Sequence, residues 1–198
     1  MAKNICVILA GGRSRRMGRD KAMLPIGEET FLTRLIRTYR EKFPVFVSVS
    51  AADRFPHPDA DELVDLRPGM GPLAGLEAAF LKTDADLVFL TATDLPFGNV
   101  KLAELLLECI GDRDACLIRR RDGGLEPAFA VYRRSCLPAL QSCLDAGRRS
   151  VRGVLEHLSV RYVEEEALPG CDLERILMNV NTPESYARAL EMLLGYSL

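Results

Sequence analysis

The chain has 198 residues, 48% of them apolar, and a formal charge of −2. That is enough for one sizeable core, and the near-neutral balance argues against a general nucleic-acid or membrane-surface binder, which would carry a basic excess. Six scattered cysteines with no C-x-x-C pair, and only two histidines, speak against a zinc site or a disulfide framework and for reduced, buried thiols in a cytoplasmic protein.

The first element is the run "ICVILA", continuous, apolar and β-branched, which predicts a strand buried on both faces. It is too short for a signal-peptide core, and no stretch approaches the roughly 20 apolar residues of a membrane span. After a loop rich in glycine and arginine, "TFLTRLIRTYREKF" sets Phe31, Leu32, Leu35, Ile36 and Tyr39 on one helical stripe, with Thr30 as N-cap and Pro44 as stop. "VFVSVS" reads as a second strand and "ELVD" as a short third. "GPLAGLEAAFLK" reads as a helix opening on Gly71 and Pro72, with Leu73, Leu76 and Phe80 facing inward. "LVFLTATD" is the next strand, followed by "LPFGN" and the helix "VKLAELLLECI".

Past Cys116 the pattern loosens. "ACLIRR" and "AFAVYR" read as strands around the loop "RDGGLEP", and "SCLPALQSCLDAG" as a helix with Pro138 in its first turn. "SVRGVLEHL" is a short helix, "VRYVEE" a strand, and "NTPESYARALEMLLG" a closing helix with Thr182 as cap and Pro183 at its first position. With no repeat, linker or low-complexity tract, this alternation predicts an α/β chain folded as a single-domain three-layer sandwich, a mostly parallel sheet with helices on both faces.

Three segments carry chemistry, and all end at the edge where the parallel strands have their C-termini, the place where open sheets bind ligands. "LAGGRSRRMGRDK" lets the backbone of Ala10, Gly11 and Gly12 approach an anion closely. Backbone donors and helix termini supply only about 0.3–1 kcal/mol each. A cation about 4 Å from a phosphate oxygen supplies on the order of 4 kcal/mol before desolvation. Two or three of Arg13, Arg15, Arg16, Arg19 and Lys21 therefore suit a polyphosphate. The spacing excludes a Walker A loop, since five residues separate Gly12 from Gly18 and two more precede Lys21, and G-x-G-x-x-G is absent. A solvated basic loop is the bland alternative; an RNA patch lacks stacking aromatics. Asp94 closes "LVFLTATD" and suits Mg²⁺ bound jointly with phosphate oxygens, or else a turn or helix cap. Asp65 closes "ELVD" and can accept two hydrogen bonds from a base edge or ribose, or else cap the loop. The glycines of "PGMGPLAG" admit a flat ring, and the helix after them offers its N-terminus.

These residues resemble the molybdenum cofactor guanylyltransferases. "LAGGRSRRMGRDKAMLPIG", "DLRPGMGPLAGLEAAF", "ATDLPF", "LEPAFAVY" and "NVNTPES" stand in that family's order and spacing, from about Ile5 to Ala189. The resemblance implies a Rossmann-like fold of the nucleotide-diphospho-sugar transferase type, with a nucleotide-binding half over about 1–110 and an acceptor-binding half over about 111–198. It implies GTP and molybdenum-molybdopterin as substrates, Mg²⁺ as cofactor, and room for transient contact with other proteins of cofactor synthesis. Carried over by position, Leu9, Ala10 and Gly11 line the nucleotide pocket, Lys21 contacts the phosphates, Asp65 holds the guanosine, and Asp94 binds nucleotide and metal. Arg16 is expected to help Lys21 neutralise the leaving pyrophosphate. Glu126, Asn179 and Asn181 are candidates for the acceptor side, against plainer readings as a strand-edge turn and helix caps.

"LAGG" and "NVNTP" lie on the guanylyl rather than the cytidylyl side of the superfamily. One departure concerns nucleotide contact: Ser50, in "SVSAAD", stands where these enzymes usually carry asparagine. A related cytidylyl or sugar-phosphate transferase, or a nucleotide-binding module without turnover, accounts for the same loop. All these readings require Lys21 and Asp94, far apart in sequence, to lie within one nucleoside triphosphate's reach.

Overall fold

The computed structural model describes residues 3–10 and 20–195. Strand β1 (Asn4–Leu9) is followed, after a 3-10 turn at Lys21–Met23, by the two-residue strands β2 (Pro25–Ile26) and β3 (Glu29–Thr30). Then come α1 (Phe31–Tyr39), β4 (Val45–Val49), β5 (Asp61–Val64), α2 (Pro72–Lys82), β6 (Leu87–Ala92) and α3 (Val100–Cys109). The second part holds β7 (Ala115–Arg119), β8 (Leu125–Arg133), α4 (Leu137–Asp145), α5 (Val151–Leu155), β9 (Val160–Glu164), α6 (Leu173–Ile176) and α7 (Pro183–Leu193). β2 and β3 form a hairpin apart from a seven-stranded sheet of order β5-β4-β1-β6-β8-β7-β9.

β1 pairs in parallel with β4 on one side and β6 on the other, β4 pairs in parallel with β5, and β7 with β9. The chain thus leaves β1 toward β5 and returns to its other side at β6, a topological switch point that opens a crevice at the strands' C-terminal ends. β8 is the exception, antiparallel to both β6 and β7. That reversal has a use: it delivers the start of β8, with Glu126, to the edge where β1 and β6 finish.

The pleat sorts the core into two layers. Cys6 and Ile8 pack with Leu32, Leu35, Ile36 and Tyr39 of α1 and Leu102 and Leu106 of α3. Ile5, Val7 and Leu9 face the opposite way, toward Leu73, Leu76 and Phe80 of α2 and Leu140 of α4. The expected inward stripes of α1 and α2 are all buried, with Phe31 of α1 packed in a separate cluster. A third, smaller cluster holds Leu24, Ile26, Phe31 and Phe97 against Val180 and Ala189, so that α7 closes over the hairpin. The Tyr186 hydroxyl donates to the Pro25 carbonyl at 2.6 Å and fixes that closure.

Helix starts follow local chemistry. Thr30 and Thr182 each form a reciprocal capping box, with Thr33 and Ser185. α2 instead begins at Gly71, whose φ of +70° is open to glycine and strained for other residues. The expected loop "RDGGLEP" is shorter than its letters suggest, because Leu125–Pro127 already belong to β8. All six cysteines are free and four are fully buried, but Cys171 is exposed, which corrects the expectation that the thiols are buried throughout. It sits in the irregular turn before α6, where no helix or strand covers it.

α2 lies very close to the sheet at Gly75. A Cβ there would come 2.4 Å from Ser48 Oγ, 2.7 Å from Leu9 Cδ2 and 3.0 Å from Ser48 Cβ. Gly75→Ala is therefore expected to cost about 1–3 kcal/mol through overpacking. The check is the urea midpoint at unchanged m-value.

Candidate active site at the C-terminal edge of the sheet

The end of β1 is locked by its neighbours. The Ala10 N–H donates to the Ser48 carbonyl and the Thr93 N–H to the Leu9 carbonyl, both at 3.1 Å, and Leu9 and Ala10 are buried. Gly11 and Arg16, with the other arginines of the loop, lie outside the described residues.

Lys21 opens the 3-10 turn that follows. Asp20 caps this turn, accepting from the Ala22 N–H at 3.2 Å, and its other carboxylate oxygen pairs with Arg54 at 2.5 Å. This brace aims the Lys21 side chain at the end of β6. Its ammonium lies 3.7 Å from Asp94 Oδ2 and donates to Asn181 Oδ1. Asp94 stands in the turn just past β6, where its carbonyl accepts from the Val180 N–H at 2.8 Å. The segment between α6 and α7 is thereby docked onto that turn. Asn179 donates to Glu126 Oε2 at 2.8 Å, and the Ala128 N–H donates to Glu126 Oε1 at 3.3 Å.

The plainer roles considered for these residues are taken by others. The cap of α3 is Asn99, not Asp94, and the cap of α7 is Thr182, which frees Asn179 and Asn181 for side-chain contacts. Glu126 lies within β8, not in a turn. Lys21, Asp94 and Asn181 come together, with Glu126 and Asn179 beside them. Burial pushes the Asp94 carboxyl above its ordinary value while Lys21 pulls it back. Burial raises Glu126 as well; Asn179 opposes that rise and the charge of Asp94 adds to it.

Asp65 follows β5 at the same edge, and its N–H donates to the Val49 carbonyl at 2.8 Å. β5 and β6 are three strand spacings apart, roughly 14 Å. A nucleoside triphosphate laid across the edge spans such a distance. The Ser48 hydroxyl donates to Asp65 Oδ1 at 2.9 Å. Ser50 turns elsewhere and accepts from Arg54 at 3.2 Å. The serine beside the candidate guanosine carboxylate is therefore Ser48, which the sequence reading passed over. The signal was the pleat: Ser48 and Ser50 alternate with the apolar residues of "VFVSVS", but Ser50 is already past the end of β4. Asp20 and Arg54 were also missed; their pairing spans a long loop and has no motif.

Burial raises the Asp65 carboxyl above its ordinary value, against the opposing pull of Ser48 and Lys82. A carboxyl whose folded value exceeds its unfolded one takes up a proton more readily in the fold. Its contribution favours folding below the unfolded value and is lost as pH rises through the folded one. Asp65→Asn, which keeps an acceptor for Ser48, is thus expected to melt at or above the wild type at pH 7. The gap should close as pH falls through the carboxylate range; melts across pH 4–8 (about that span) check it.

Among the described residues no group of three or more His, Cys, Asp or Glu side chains forms a metal cage of its own. The part-buried Asp94 carboxylate, with Asn181 Oδ1 held nearby on the Lys21 ammonium, fits a hard cation that takes its remaining ligands from phosphate and water. Among the described residues no helix is long and apolar enough to cross a membrane.

Comparison with known proteins agrees with this fold. The profile described as "MobA-like NTP transferase domain" matches residues 6–164. A probable molybdenum cofactor guanylyltransferase of Pelotomaculum thermopropionicum is 35% identical over 188 residues, covering 94% of this chain and 91% of its own. One from Carboxydothermus hydrogenoformans is 32% identical over 186 residues, covering 93% of this chain and 94% of its own. The crystal structure of molybdopterin-guanine dinucleotide biosynthesis protein A from Archaeoglobus fulgidus superposes with a TM-score of 0.83 at 27% identity, covering 96% of this chain and 99% of that one. The fold extends to 2-C-methyl-D-erythritol 4-phosphate cytidylyltransferase of Thermus thermophilus, with a TM-score of 0.70 at 17% identity and coverage of 96% and 99%. With a matched profile over most of its length and relatives this similar end to end, the chain belongs to the MobA-like NTP transferase family.

Proposed function

We propose that the protein transfers GMP from GTP to the terminal phosphate of molybdenum-molybdopterin, releasing pyrophosphate, with Mg²⁺ and in the cytoplasm. The observation that carries the proposal is the meeting of Lys21 and Asp94, 3.7 Å apart at the sheet's switch point. The family membership and the names of the relatives support the guanylyl acceptor chemistry.

No nucleophilic side chain is needed, because the acceptor phosphate is itself anionic and can attack the α-phosphorus with pyrophosphate leaving in line. The protein's part is then positioning and charge stabilisation. Asp65, oriented by Ser48, takes the guanosine; the ends of β1 and β4 wall the pocket with Leu9 and Ala10; Gly11 belongs to the phosphate loop. Lys21 and Arg16 neutralise charge on the leaving pyrophosphate. Asp94 would hold Mg²⁺, which would supply Lewis-acid stabilisation of phosphate charge. Glu126, Asn179 and Asn181 lie on the acceptor side, and Asn181 also steadies the Lys21 ammonium between the two substrates.

The test is a thermal-shift panel of GTP, CTP, ATP and UTP with Mg²⁺, followed by pyrophosphate release in the presence of molybdopterin. Stabilisation by GTP alone, with release, is the expected result. Preference for CTP would move the protein to a cytidylyl reaction, and binding without release would make it a nucleotide sensor.

A further inference from the structure

Glu77 is a carboxylate on α2 with only 2% of its surface exposed, among leucines, alanines and Phe80. Burying a charge this deeply is costly unless it is paired. Its charge partner is Arg67, whose Nε lies 3.2 Å from Glu77 Oε2 as an ion pair without hydrogen-bond geometry, and whose Nη1 donates to Asp145 Oδ1 at the end of α4 at 2.5 Å. A leucine at position 77 would fill this helix face with no such cost. Stability alone therefore does not account for the pair; fixing a unique arrangement does.

What Arg67 fixes is the loop from Asp65 to Gly71. Asp65 is tied at one end through the Val49 carbonyl, and Gly71 starts α2 at the other. Between them the Arg67 carbonyl accepts from the Met70 N–H at 3.2 Å, making a tight turn, while Leu66 is exposed. The guanidinium fork is the side-chain anchor of this turn, reaching from the loop to both α2 and α4.

We propose that Arg67, clamped by Glu77 and Asp145, is a positioning residue for the nucleotide: it holds the Asp65–Gly71 loop in the shape that presents Asp65 and the N-terminus of α2 to the base. The inference rests on the reading above that this loop meets guanosine. It concerns binding rather than bond-making, so its mark is on KM and not on kcat.

The experiment compares the wild type with the double variant Arg67→Met/Glu77→Leu, which removes both charges and leaves the exposed Asp145 in water. Glu77 is buried but the Arg67 side chain is one third exposed, so the change removes one costly buried carboxylate and one part-exposed cation, and the melting temperature should stay within a few degrees of the wild type. KM for GTP should rise about tenfold, the equivalent of one weakened hydrogen bond, with kcat within about twofold. A folded double variant with wild-type KM overturns the proposal. Should the double variant not fold, Arg67→Lys keeps the charge but loses the fork; raised KM supports the proposal and an unchanged value overturns it. Asp65→Ala runs in parallel. If it leaves GTP binding intact, the nucleotide reading of the loop itself falls; if it weakens binding while the Arg67 variants do not, only the positioning role falls.

Discussion

Lys21→Ala is expected to lower pyrophosphate release by about 100- to 1,000-fold, the size of effect seen when one preorganised donor to developing charge is removed. A cation some 4 Å from a phosphate oxygen is worth on the order of 4 kcal/mol at an effective dielectric near 20, before desolvation. No other described side chain reaches the Asp94 carboxylate from a turn braced in this way. The fold should persist with a modest loss of stability. The Lys21 and Asp94 side chains are 19% and 28% exposed, so removing the ammonium leaves a mostly buried carboxylate without its cation, at a cost of about 1–3 kcal/mol. Melting by circular dichroism and a coupled pyrophosphate assay on the same preparation check both halves. A variant that melts with the wild type and keeps full release removes Lys21 from the mechanism.

Asp94→Asn is expected to abolish Mg²⁺ activation and to reduce turnover by at least about 100-fold. The substitution is isosteric and leaves the contact between the Asp94 carbonyl and the Val180 N–H intact, since that contact is made by backbone. Burial already disfavours the ionised carboxyl. Neutralising it removes that cost, while Asn181 remains to take the Lys21 ammonium. The melting temperature should therefore hold within a few degrees as activity is lost. A Mg²⁺ titration of rate that coincides with the wild type's would refute metal binding by Asp94.

Much of this arrangement is legible in the letters, and the reasons are physical. "ICVILA" and "LVFLTA" are apolar on both faces because both strands are central, and buried helix stripes such as Phe31–Leu35–Tyr39 repeat with the helical period. Thr30 and Thr182 mark their helices because capping chemistry is local. Strand direction is not local. Nothing in "LEPAFAVYR" says that β8 runs against its neighbours, although that reversal brings Glu126 to the edge. The β2–β3 hairpin and α6 are too short to show a period. Motif and strand position point to Asp65 and Asp94 but not to the residues around them: Ser48, Arg54 and Arg67 meet their acids across loops, where only three-dimensional closure decides which cation or hydroxyl meets which acid.

The docking of Val180 onto the turn after β6, with Asn181 reaching Lys21, bears on how the protein is made. Ribosomes deliver the sheet's central strands early, yet the polar contacts around Asp94 must wait for residues near 180. A nascent chain can thus bury much of its oily interior long before the polar grouping around Asp94 is complete. Synthesis halted short of these residues would leave Lys21 without Asn181 and the turn after β6 without Val180, and would also uncover Ile26 and Phe31.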